Sequence, residues 1–119
     1  MTGSVKVRVV TKINTIAYLS KYTQRCLDKH HLDDWTTKIN NAPRTMGRCS
    51  YRQKCIYISK HCLKMPQSEI IDTILHEIAH ALVGPYVASH GSEWLHKARD
   101  IGCSGKIYYK TSHYASQHN

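Results

Sequence analysis

With 119 residues, 41% of them hydrophobic and 21% charged, the chain is the size of one globular domain with a real core and little room for a second unit. No apolar run approaches the ~20 residues of a membrane-spanning helix, which excludes an integral helical membrane protein. The net charge of +9 is lopsided: residues 1–64 hold thirteen Lys/Arg against Asp28, Asp33 and Asp34, whereas residues 65–119 hold four against Glu69, Asp72, Glu77, Glu93 and Asp100.

At the N-terminus Val5, Val7 and Val9 alternate with Lys6 and Arg8, which predicts a short strand over Ser4–Val10 and lacks the continuous apolar segment of a secretory signal. A helix follows from about Asn14 to His31: Ile16, Leu19, Thr23, Cys26, Leu27 and His30 form its apolar stripe, and Lys21, Arg25 and Lys29 form a basic ridge behind it. Asn40-Asn41-Ala42-Pro43 is a turn. Two strands, Arg44–Tyr51 and Cys55–Ser59, are expected around Arg52-Gln53-Lys54, with Tyr57 facing away from Ile56 and Ile58. Pro66 suits the first turn of the next helix and Gly84-Pro85 ends it. A last helix over about Gly91–Asp100 buries Trp94, Leu95, Ala98 and Ile101, and the polar residues 106–119 read as a strand and a tail.

The five cysteines (Cys26, Cys49, Cys55, Cys62 and Cys103) are odd in number and contain no Cys-x-x-Cys pair. They suit reduced thiols in a reducing compartment, so an intracellular location is expected. The basic half 1–64 would attract a polyanion, nucleic acid above all, and the plainer reading is a solvated face. Tyr51 and Tyr57 could stack on unpaired bases, though strand tyrosines usually pack.

The most informative segment is Ile70–Val83, apolar around nearly the whole helical wheel and yet carrying His76-Glu77-Ile78-Ala79-His80. A helix apolar all round is buried, and buried imidazoles and carboxylates are costly unless something satisfies them. His76 and His80, four residues apart, project from one face, the arrangement that holds zinc. Glu77, about 100° round the helix, can reach a water on the metal and act as general base. A third ligand must come from beyond Gly84: His90, Glu93, His96 and Asp100 are candidates, with His90 placed at the start of the last helix. Asp72, one turn before His76, either orients a ligand imidazole or complements the helix N-terminus. Tyr108 and Tyr109 either donate to an oxyanion or pack.

Three ordered pieces of Gly47–Cys103 resemble the SprT-like metalloprotease domain, the family of SprT and Spartan: Gly47-Arg48-Cys49 with Ile56-Tyr57-Ile58-Ser59, then Asp72–Ala81 around the histidines, then His90-Gly91-Ser92-Glu93-Trp94. Trp35 and Asn40 resemble the family's lead-in strand more weakly. The paired-cysteine zinc ribbon that often follows that core has only Cys103 to match it, so the resemblance is to a minimal version. It implies an α+β, zincin-like domain over 1–119 with a small sheet on a metal-bearing helix, the motif half being 65–105. It further implies Zn2+ on His76, His80 and His90, Glu77 as catalytic base, and endopeptidase action on proteins associated with DNA. The competing expectation is a nucleic-acid-binding module whose zinc is structural, with a fourth protein ligand such as Cys103 or His96 closing the site.

Overall fold

The computed structural model describes residues 12–107. The expected strand over Ser4–Val10 and the pair Tyr108/Tyr109 lie outside these residues, as does most of the 106–119 segment, of which Lys106 and Ile107 have no regular structure.

The first helix, α1, spans Ile16–Lys29. Thr15 starts it, accepting a hydrogen bond from the Tyr18 amide at 3.0 Å and so satisfying one of the amides a helix start leaves unpaired. Leu19, Thr23 and Leu27, spaced by four, form its buried line, and Lys21, Arg25 and Lys29 are all exposed. The chain leaves α1 through His31, whose φ of 64° lies in the left-handed region.

Strands β1 (Thr36–Asn40), β2 (Gly47–Ser50) and β3 (Cys55–Ser59) form a sheet in the order β1-β3-β2. β1 runs parallel to β3, and β2 pairs with β3 as the expected antiparallel hairpin. The paired part of β2 is shorter than the anticipated Arg44–Tyr51; Arg44 and Thr45 are exposed ahead of it. β1 has no clear alternation in its sequence, and only its likeness to the family's lead-in strand pointed to it. Ile56 and Ile58 face the core, whereas Tyr57 faces outward beneath the Arg48 guanidinium, 4.0 Å from the ring centre. A 3₁₀ turn over Lys60–Lys64, unforeseen in the sequence, leads to α2.

Helix α2 runs from Gln67 to Val83. Pro66 stands one position ahead of it rather than within its first turn, and its carbonyl accepts from the Glu69 and Ile70 amides. Gly84, at φ 83°, ends the helix and returns its amide to the His80 carbonyl. The last helix, α3, covers Ser92–Asp100 and buries Trp94 and Ala98, with Leu95 and Ile101 half-buried.

Two apolar clusters explain why α2 is apolar on all sides. Ile70, Ile74 and Ile78 join Leu19, Leu27, Ile56 and Ile58 in the cluster between the helices and the sheet. Ala79 lies with Trp94, Ala98 and Cys103 in a second cluster between α2 and α3. Each fully buried Ile gains roughly 1.5–3 kcal/mol over its exposed state, so α2 is fixed from two directions.

Candidate metal centre

The polar groups that α2 brings to the site are set by this double burial. His76 and Glu77 are buried at 9% and 7% exposure, and His80 and His90 are half-buried. Buried Asp72 turns both carboxylate oxygens to the chain after α3, accepting from the Ser104 amide and hydroxyl, each at 2.7 Å. Its negative charge also pulls the His76 pKa upward, against the larger effect of burial.

His90 enters from the loop between α2 and α3. Its φ of 58° is left-handed, a conformation that costs a side chain other than glycine about 1–2 kcal/mol. Its Nε2 stands 2.9 Å from Nε2 of His76 and 3.1 Å from Nε2 of His80. Ring nitrogens of all three lie within 4.8 Å of one another, so the cluster could hold a metal ion. The other candidates, Glu93, His96 and Asp100, are exposed on α3 and do not join this group among the described residues; Asp100 lies 3.6 Å from Lys97.

Trp94 is the floor of the cluster. Its ring stacks on His80 at 5.3 Å between centres and meets His76 at 4.6 Å and His90 at 4.8 Å, while its N–H donates to the His76 carbonyl at 3.3 Å. The sequence marked Trp94 as a buried residue of the last helix and as the end of the His90–Trp94 piece of the resemblance; its contacts with His76 and His80 join two helices.

Burial dominates the electrostatics. It lowers His76 and His80 to about 4, helped for His76 by neighbouring His80 and His90 and for His80 by His90, and it lowers His90 as well. The rings are therefore neutral at pH 7, the form in which imidazole binds a metal. Buried Nδ1 of His76 has no hydrogen-bond partner of good geometry among the described residues, although the Lys106 main chain lies near enough to raise its pKa slightly. Neutral, convergent nitrogens crowded without a charge-bearing partner are what a divalent cation satisfies. On the donor set and its packing, the residues fit zinc.

Glu77 is pushed up to about 8 by burial, with Arg48 pulling weakly the other way. It lies against β2, where burial, then Glu77, raises Cys49 to about 12, and where burial, Cys49 and Glu77 raise Tyr51 to about 12. Tyr51 also packs edge-on against Trp35 and donates its hydroxyl to the His80 carbonyl at 3.0 Å.

A helix with two histidines one turn apart, a third from the following loop and a small sheet alongside make this an α+β, zincin-like architecture. A model of the SprT-like family matches residues 15–113, and the chain belongs to that family. Two archaeal solved structures share the fold. The metallopeptidase zymogen abylysin of Pyrococcus abyssi has a TM-score of 0.55 at 16% identity, over 73% of this chain and 79% of its own. The zymogen jannalysin of Methanocaldococcus jannaschii has a TM-score of 0.57 at 13% identity, over 88% and 98%. At such identities the likeness is one of fold. No curated protein matches the sequence.

Proposed function

We propose that the chain is a zinc-dependent endopeptidase in which His76, His80 and His90 bind the metal and Glu77 is the catalytic base. The observation that carries this reading is the convergence of three imidazoles, two from α2 and one from the loop after it, with ring nitrogens within 4.8 Å of one another beside buried Glu77. When bound, zinc supplies a Lewis acid that polarises the scissile carbonyl and acidifies a water. Glu77 takes a proton from the attacking water onto its carboxylate and passes it to the departing amine. Its burial keeps bulk water from competing for that proton, and a nearby dication offsets the rise that burial alone imposes.

The rival reading, a nucleic-acid module with structural zinc, needs a fourth protein ligand. Cys103 Sγ is instead directed at the Asp72 carbonyl at 3.7 Å and His96 is exposed; among the described residues no fourth His, Cys, Asp or Glu joins the cluster. A cluster of three among the described residues, with no fourth, favours the peptidase. The substrate we propose is a protein held on DNA: Lys21, Arg25 and Lys29 are exposed and lack a carboxylate partner among the described residues. Negligible binding to single- and double-stranded DNA at moderate salt removes that part alone. No described helix is long and apolar enough to cross a membrane.

The decisive experiment is Glu77→Gln. Zinc stoichiometry stays at the wild-type level while cleavage of an unfolded protein substrate is lost; proteolysis persisting in the purified, zinc-loaded variant ends the assignment of Glu77.

A further inference from the structure

Glu77 belongs to α2, but what fixes the place of its carboxyl group is the neighbouring strand. Gly47 opens β2 opposite Ile58 of β3, and a Cβ built on it would stand 2.8 Å from Glu77 Cγ, 2.9 Å from Oε2 and 3.2 Å from the carboxyl carbon. Contacts below 3.0 Å are ones that real Cβ atoms essentially never make. Nothing in the backbone asks for glycine here, because the positive-φ glycines are Gly84, Gly102 and Gly105. The missing side chain matters for the space it leaves, and Glu77 fills that space.

The wall around the carboxyl is rigid. Gly47 sits in the β2–β3 ladder, and Tyr51 beyond it is tied to Trp35 and to the His80 carbonyl. In a close-packed interior the strand is the stiff side of this contact, so the end of the Glu77 side chain is what must move to admit a methyl group. Retreat of Glu77 to the remaining helical rotamers is limited, because a side chain in a helix avoids the one that drives it into the preceding turn.

We propose that Gly47 is a positioning residue that sets where the Glu77 carboxyl group stands relative to the three histidines. The inference rests on the reading of Glu77 as base and adds what holds the base in register. An alanine at position 47 displaces the carboxyl while leaving His76, His80 and His90 on their own supports, α2, the loop and Trp94.

The test compares Gly47→Ala, Glu77→Ala and the double variant with the wild type. In Gly47→Ala, zinc stoichiometry, the visible spectrum of the cobalt-loaded protein and KM stay as in the wild type, while kcat falls on the order of 100-fold, the cost of misplacing a reacting group by about 1 Å. In zinc-free protein the same substitution lowers the denaturant midpoint with Glu77 present and leaves it unchanged in the Glu77→Ala background. Gly47→Ala failing to fold while the double variant folds also supports the contact. Wild-type kcat in Gly47→Ala alongside an inactive Glu77→Gln overturns the inference and leaves the catalytic reading standing. Equal destabilisation with and without Glu77, or neither variant folding, overturns it too. An active Glu77→Gln refutes the catalytic reading itself, and the midpoints then still decide whether the two residues touch.

Discussion

The two long helices solve opposite problems. α1 is built as a surface helix: a Thr15 cap, one buried line of Leu19, Thr23 and Leu27, and three exposed cations behind it. α2 has no side-chain cap, is packed on two sides, and buries Asp72, Thr73, His76 and Glu77 along with its isoleucines. Each buried polar group costs free energy unless paired, so α2 gives up local stability that α1 keeps. The apolar contacts of α2 with the sheet and with α3 offset that cost. A helix can carry ionisable chemistry at its centre when its neighbours, rather than its own propensity, hold it in place.

Trp94→Ala is the strongest way to break this contrast. It removes the floor under all three imidazoles and leaves the His76 carbonyl without its indole donor. A loss of about 3–5 kcal/mol is expected, as for large aromatic truncations in cores, measured by denaturant unfolding of zinc-free protein. Zinc affinity falls with it. His90→Ala acts on the site alone: the residue lies half-buried in a loop, so the circular dichroism spectrum stays as in the wild type. Zinc affinity, read by chelator competition, falls beyond the ~10–100-fold that loss of a supporting residue costs.

What these variants touch was unequally legible in the sequence. α2 and its histidines stood out because local signals agree: an unbroken apolar wheel, Pro66 before it, Gly84-Pro85 after it, and a four-residue histidine spacing. The candidate third ligand was harder, since spacing left His90, Glu93, His96 and Asp100 open; the family resemblance favours His90, and among the described residues it is His90 that stands with His76 and His80. Thr36–Asn40 was nearly invisible as a strand because its burial follows no clean alternation; pairing with β3 makes it one. The hydrogen bond of Trp94 to the His76 carbonyl, the clasp of Ser104 on Asp72 and the hollow at Gly47 join residues 18 to 32 positions apart. No window of sequence contains both members of any of those pairs.

A smaller effect comes from pH and sharpens the contrast, because α2 titrates in the neutral range. In zinc-free protein the Glu77 carboxyl sits at about 8 instead of 4.5. The folded chain therefore holds a proton the unfolded chain has released, and this stability, full below pH 4.5, is lost as pH rises through 8. His76 and His80, at about 4 instead of 6.5, work the other way: their contribution is full above 6.5 and is lost as pH falls towards 4. Zinc-free protein is thus most stable near pH 6.5, and thermal melts across pH 4–9 will show both limbs. Glu77→Gln removes the alkaline limb and spares the acid one; an unchanged alkaline limb would mean some other group is responsible.

The weakest perturbation is the most discriminating about how far the two helices are independent. Thr15→Ala deletes the side-chain oxygen that receives the Tyr18 amide and should cost about 1 kcal/mol, the usual size of a lost N-cap. Thr15→Ser should recover most of it. Because α1 supplies no member of the histidine cluster, zinc affinity in the folded variant should match the wild type. The two helices are nevertheless linked at their starts, where the Ile13 amide donates to Gln67 Oε1 at 2.8 Å. Should Thr15→Ala weaken zinc binding as well, the loosened start of α1 must be pulling on α2 through that bond, and Gln67→Ala would then reproduce the loss. If zinc affinity holds, the burial of α2 against the sheet and α3 is enough to isolate the site from the helix beside it.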